Sequence, residues 1–152
     1  KKPCPFQYLQ IGQVFDLGGL TLEVVSLAGH TPGSVGLLCR EKRLMFTGDG
    51  MNPHIWMQLE ESQPIAVLHE TLKNVKEKFY DQYDRILYGH ARGEGYLDKS
   101  ILERLMLGCE QLMAGKTEKD STYTYFDGQA TCMQHPYGET PNDVIVYAED
   151  KL

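Results

Sequence analysis

Three short segments of this chain are Gly29-His30-Thr31-Pro32-Gly33-Ser34, Phe46-Thr47-Gly48-Asp49-Gly50 and Tyr88-Gly89-His90. Each sets an imidazole or a carboxylate just after a stretch that reads as a β-strand. A strand hands its following residues to the edge of a sheet, where loops carry binding groups. Three such ends therefore call for a fold that gathers strand ends at one edge. Glycine beside each of the three side chains permits the tight turns that aim a ligand out of a strand end. Pro32 stiffens the turn after His30. Two imidazoles and a carboxylate suit Zn²⁺, Fe or Mn. A lone histidine is usually an ordinary surface or core residue, and a lone Gly-Asp is usually a turn. Three in this order, about 20 and then about 40 residues apart, shift the balance toward a shared site.

The patterning between these segments predicts their supports. Val14 to Phe15 and Leu20 to Leu27 alternate around Gly18-Gly19, as a hairpin does. Val35 to Cys39 and Leu44 to Thr47 form a second pair around Glu41-Lys42-Arg43, continuing an antiparallel meander. Residues 51–61 show no regular repeat and read as a loop holding Asn52, His54 and Trp56. Ser62 reads as a helix N-cap, with Pro64 in the first turn. Ile65, Leu68, Leu72, Val75 and Phe79 then recur at helical spacing over residues 63–80. Arg85 to Tyr88 reads as a short buried strand. Asp98 reads as the cap of a second helix over 99–114, ended by Gly115. Tyr123 to Phe126, Ala130 to Met133 and Val144 to Tyr147 read as strands, with a turn at Asp127-Gly128. The order is strands, helix, strand, helix, strands: an α+β layer, mostly antiparallel, with helices on one face.

The 152 residues suffice for one domain and one core. With 41% hydrophobic and 24% charged residues the chain is globular rather than disordered. The net charge of -6 argues against nucleic acid, whose binding needs lysine and arginine on phosphates. No apolar run approaches the roughly 18 residues that span a bilayer, so no membrane is expected. No signal peptide is visible, although the chain starts at Lys1 rather than Met. Cys4, Cys39, Cys109 and Cys132 form no Cys-x-x-Cys pair and read as buried reduced thiols of a cytoplasmic protein.

Taken together and in order, the three segments resemble the second half of the metallo-β-lactamase superfamily. The resemblance covers roughly residue 10 to the strand Val144 to Tyr147. It implies half of an αββα sandwich, with residues 1–152 forming a single domain that corresponds to the C-terminal half of the family fold. It implies that His30 completes the first metal site, that Asp49 bridges both metals and takes part in catalysis, and that His90 ligates the second metal. Two Zn²⁺ are implied per intact site, with Fe or Mn as substitutes. Asp at 49, rather than Cys, is similar to the glyoxalase II and general hydrolase branches. The implied reaction is water attack on an ester, thioester, lactone or phosphoester of a small-molecule substrate. The family's His-x-His-x-Asp-His cluster is absent from this sequence. On the resemblance, the chain alone is expected to be inactive. Its partner is expected to be a missing N-terminal half or a second copy of the chain in a homodimer, packed on an exposed apolar sheet face.

Asn52, His54 and Trp56 follow Asp49 closely and read as candidates to rim a substrate pocket, and Tyr96, shortly after His90, is a further candidate to reach a substrate. Thr31 and Ser34 are the hydroxyls nearest His30, with a turn role at least as plausible as an orienting one. His69 and His135 read as ordinary residues, a solvated helix residue and a residue of a turn-like segment, and His54 is not expected to ligate a metal. Two rivals to the hydrolase stand beside it. One is a non-catalytic interaction module with relic metal residues. The other is a diiron redox protein of the same superfamily, which usually needs a flavin domain that this chain does not contain.

Overall fold

The computed structural model describes residues 6–91, 93, 95–124, 131–138 and 140–152. Cys4, Phe126, the Asp127-Gly128 turn and Ala130 lie outside the described residues. Strands β1 (Val14–Asp16), β2 (Thr21–Ser26), β3 (Val35–Cys39) and β4 (Leu44–Gly48) form the expected antiparallel meander. Strand β5 (His54–Met57) comes next, followed by helix α1 (Ile65–Phe79), β6 (Arg85–Tyr88), β7 (Leu97–Asp98) and helix α2 (Ile101–Met113). The chain finishes with β8 (Ser121–Thr124), β9 (Thr131–Pro136) and β10 (Val144–Tyr147).

The strands fall into two sheets. One has six strands in the order β1-β2-β3-β4-β6-β7, the other four in the order β5-β10-β9-β8. Pairing is antiparallel except for β4 with β6 and β5 with β10. The second sheet corrects the reading of residues 51–61 as a loop and of the strands as one layer. β5 is short, and its partner β10 lies far along the chain, Val144 opposite His54. Nothing near β5 in sequence announces that pairing.

Register explains the core. Leu38, Met45 and Ile86 stand side by side across β3, β4 and β6, all fully buried. They share one core with Ile65, Leu68 and Leu72 of α1, with Ile101 and Leu105 of α2, and with Ile55, Met57 and Ile145 of the second sheet. Each such side chain contributes about 1.5–3 kcal/mol when fully buried. The opposite face of the six-stranded sheet carries Leu37, Phe46 and Leu87, also aligned by register and only half-buried.

Local structure departs from expectation at four places. Pro64, not Ser62, occupies the α1 N-cap position, and no side chain caps that helix. Asp98 does not cap α2 either; Ser100 takes that position, and Asp98 Oδ1 accepts the Ser100 N–H at 2.9 Å. His135 belongs to β9 and is buried. Its Nδ1 meets Asp120 Oδ1 at 2.6 Å, and Asp120 Oδ2 accepts the Tyr147 hydroxyl at 2.7 Å. His69 reaches Glu110 Oε1 at 3.1 Å, joining the two helices rather than pointing into water. The end of α2 is as expected: Gly115 has φ +70°, and Lys116 N–H bonds back to Gln111 O at 2.9 Å. Cys39, Cys109 and Cys132 are free thiols, the first two buried.

Candidate metal centre and its cleft

The three strand ends converge on one cleft of about 790 Å³, whose lining includes His30, Asp49, His54, Trp56, Tyr88 and His90. The His30 loop follows β2 and is held at both ends. Gly29 O accepts the Gln63 N–H at 2.8 Å, and His30 O accepts the hydroxyl of buried Ser62 at 2.9 Å. The sequence read Ser62 as a helix cap; its hydroxyl instead braces a site loop. Thr31 and Ser34 close the turn on one another, Oγ1 to Oγ at 2.9 Å and Thr31 N–H to Ser34 Oγ at 3.2 Å. Their role in the structure is the turn itself.

His30 Nδ1 lies 2.6 Å from the carbonyl oxygen of Trp56. A carbonyl can only accept, so Nδ1 carries the proton and Nε2 keeps its lone pair. That is the arrangement by which an outer carbonyl orients a metal-binding histidine.

Asp49 sits in a tight turn between Thr47 and Met51. Gly50 N–H bonds to Thr47 O at 3.1 Å, and buried Thr47 Oγ1 donates to Met51 O at 2.7 Å. Gly48 has φ +51°, a conformation that L side chains rarely adopt. Gly89 N–H bonds to Gly48 O at 2.8 Å, joining the ends of β4 and β6. A Cβ on Gly89 would run into Asp49 Oδ1. The bare glycine is what lets the carboxylate lie across the end of β6. His90 follows with φ +63°, uncommon outside glycine, and its ring is largely exposed.

Asp49 Oδ1 is buried and has no hydrogen-bond partner. The nearest cation-competent atom is His90 Nε2 at 3.4 Å, close enough for an ion pair but without hydrogen-bond alignment. An orphaned carboxylate oxygen, an adjacent imidazole and a pre-oriented second imidazole match the donors of a zinc site. The fit is that of half a site. Among the described residues no three His, Cys, Asp or Glu side chains stand close enough to hold one ion.

The remaining candidates divide. Trp56 lines the cleft. Asn52 also lines it, but its amide is a brace: Nδ2 donates to Gly89 O at 3.3 Å, and Oδ1 accepts the His54 N–H at 3.0 Å. Tyr96 is half-exposed under the Arg85 guanidinium, 4.7 Å from its ring centroid, and does not line the cleft. His54, which the sequence put among the candidates for the pocket rim, also lines the cleft, whereas sequence reasoning did not bring in Tyr123 and Asn142. The alternation His54-Ile55-Trp56-Met57 sends His54 and Trp56 to one face and Ile55 and Met57 to the core. Burial pushes the His54 pKa below the usual 6.5 and keeps the ring neutral.

No family model matches the chain. Over 40 residues it is 45% identical to hydroxyacylglutathione hydrolase GloC of Haemophilus influenzae, covering 26% of this chain and 19% of that protein. A metallo-β-lactamase from Pontibacter korlensis superposes with TM-score 0.51 and 17% identity, covering 65% of this chain and 46% of the other. ETHE1 from Myxococcus xanthus gives TM-score 0.55 and 19% identity, covering 73% and 51%. The DIM-1 metallo-β-lactamase gives TM-score 0.51 and 15% identity, covering 74% and 50%. The chain thus spans about half the length of these solved structures and a fifth of the curated relative. Among the described residues, the two helices and the mostly antiparallel sheets make a mixed architecture whose fold is that of about half of a metallo-β-lactamase.

Proposed function

We propose that this chain supplies His30, Asp49 and His90 to a dinuclear metal-dependent hydrolase, the remaining ligands coming from another polypeptide segment. The carrying observation is Asp49 Oδ1, buried without a partner at the head of the cleft beside His90. His30, turned by the Trp56 carbonyl, supports the same reading. His30 Nε2, the Asp49 carboxylate and His90 would hold the ions, with Asp49 shared between them. When bound, zinc would lower the pKa of a coordinated water toward 7 and polarise a carbonyl or phosphoryl oxygen. The chain's own residues orient the donors. Ser62 and Trp56 fix His30, while Gly48 and Gly89 fix Asp49. The reaction class is hydrolysis of an ester, thioester, lactone or phosphoester. The missing donors would arrive with a layer packed on the half-open face of Leu37, Phe46 and Leu87, from a longer polypeptide or a second copy.

The test is metal content by elemental analysis after equilibration with zinc and gel filtration. Zinc should be retained above background and lost in His30→Ala, Asp49→Asn and His90→Ala. The chain alone should hydrolyse neither p-nitrophenyl acetate nor a simple thioester. Zinc content unchanged by all three substitutions would overturn the reading.

The absence of a three-donor cluster among the described residues favours a second reading, a non-catalytic module with relic metal residues. That reading expects no zinc, and the same binding partner in wild type and in the triple variant.

A further inference from the structure

One wall of the cleft is the outward face of β5, and the proposed hydrolase does not account for its side chains. His54 and Trp56 share that face by strand alternation. Tyr123 of β8 meets both edge-on, its ring centroid 5.6 Å from His54 and 6.2 Å from Trp56. The three rings make a corner in which flat surfaces meet at 64° and 69°. Pro53 and Leu59 extend it with apolar surface. His54 also carries a buried Nε2 with no hydrogen-bond partner. A buried polar atom left unpaired costs free energy, which a ligand that pairs it recovers. Among the described residues, no lysine or arginine lines the cleft. This wall therefore offers flat apolar surface and one neutral ring nitrogen, with no fixed cation for a carboxylate or phosphate.

We infer that the wall formed by His54, Trp56 and Tyr123 binds an uncharged aromatic amide or ester portion of the substrate, with His54 as its hydrogen-bonding partner. The inference rests on the hydrolase reading only for the word substrate; the binding itself needs neither metal nor turnover. Base-sized rings gain from stacking on aromatic side chains, and edge-to-face contacts add to area burial. A ligand with an anionic group would have to surrender its hydration with nothing in the described lining to replace it.

Trp56 is the only tryptophan, so its emission reports on this wall alone. The experiment titrates the metal-free full chain with benzamide, benzoate and acetamide, exciting at the red edge of tryptophan absorption. Benzamide should give a saturable change, with benzoate and acetamide at least about fivefold weaker. His54→Ala and Tyr123→Ala should each weaken benzamide binding by about five- to tenfold, the size of one neutral hydrogen bond or aromatic contact. His54→Asn, which keeps a polar group, should recover part of the loss. Far-UV circular dichroism checks that each variant is folded. Benzoate binding as tightly as benzamide, no saturable change, or unchanged affinity in folded His54→Ala would each overturn the inference. None of these outcomes bears on zinc retention by His30, Asp49 and His90, so the two readings fail separately.

Discussion

Replacing Ser62 by aspartate separates two accounts of the junction between the His30 loop and α1. If Ser62 were the helix cap its sequence context suggests, aspartate would serve equally well and stability would not change. In the structure the hydroxyl donates to the carbonyl of His30 at 2.9 Å, from a side chain that is 3% exposed. Ser62→Ala removes that bond and leaves the carbonyl without its donor, at a cost of about 1–2 kcal/mol. Ser62→Asp is worse, because a carboxylate cannot donate and sets negative charge against the carbonyl oxygen in a buried place. Its cost should be about 2–4 kcal/mol. For a chain of this size each kcal/mol lowers the melting temperature by about 2–4 °C. Urea denaturation at constant m-value and calorimetry both measure it. The His30 loop also carries the bond from Nδ1 to the Trp56 carbonyl, so native-state tryptophan emission should shift in Ser62→Asp. If Ser62→Asp lies within about 0.5 kcal/mol of wild type, the brace is wrong and Ser62 acts as a cap after all.

Two further outcomes follow from the same geometry. Gly89→Ala sets a methyl group against Asp49 Oδ1 and 3.1 Å from the Gly48 carbonyl carbon. Zinc affinity should fall about tenfold or more, the scale seen when an outer support of a ligand is displaced; affinity equal to wild type would show that the carboxylate moves aside freely. The second concerns His54, whose pKa burial holds below 6.5 in the folded chain. As pH falls the unfolded chain takes up this proton first. Its contribution to stability is therefore complete above pH 6.5 and is lost as pH drops through that value toward the lower folded one. His54→Gln should flatten the stability profile in that window, and a parallel profile in the variant would refute the assignment.

The meander β1–β4, both helices and β6 were legible because each is specified locally, by alternation between turn glycines or by apolar residues at helical spacing. The two misread capping positions, at Ser62 and Asp98, involve the same chemistry redirected. A hydroxyl or carboxylate that satisfies a backbone group near a helix start looks alike in sequence whether that group belongs to the helix or to a neighbouring loop. β5 was hidden for a different reason. Four residues that pair in parallel with β10 gain their stability from a contact far away in the chain, which local composition does not encode. His54 was read as a loop residue at the pocket rim, whereas its place in the cleft depends on the alternation of that strand. His30, Asp49 and His90 were legible through the strings around them, and Gly48 and Gly89 have the steric roles that glycine flanks suggested. The convergence of the three at one edge depends on β4 and β6 being parallel neighbours, so that Gly48 and Gly89 meet.

The division between core and cleft has a consequence for how the chain responds to mutation. The buried cluster joins both sheets and both helices and contains none of the three metal-competent residues. Folding therefore draws on Leu38, Met45, Leu72 and their neighbours, while His30, Asp49 and His90 sit on turns at the rim. Turn residues held by single hydrogen bonds are the ones whose geometry a partner layer or an ion can still adjust. His90 illustrates this, with an uncommon backbone conformation and a largely exposed ring. A left-handed histidine costs about 1–2 kcal/mol relative to the usual regions, and exposure returns none of it. If the proposed site is completed, the gain realised there would offset that strain.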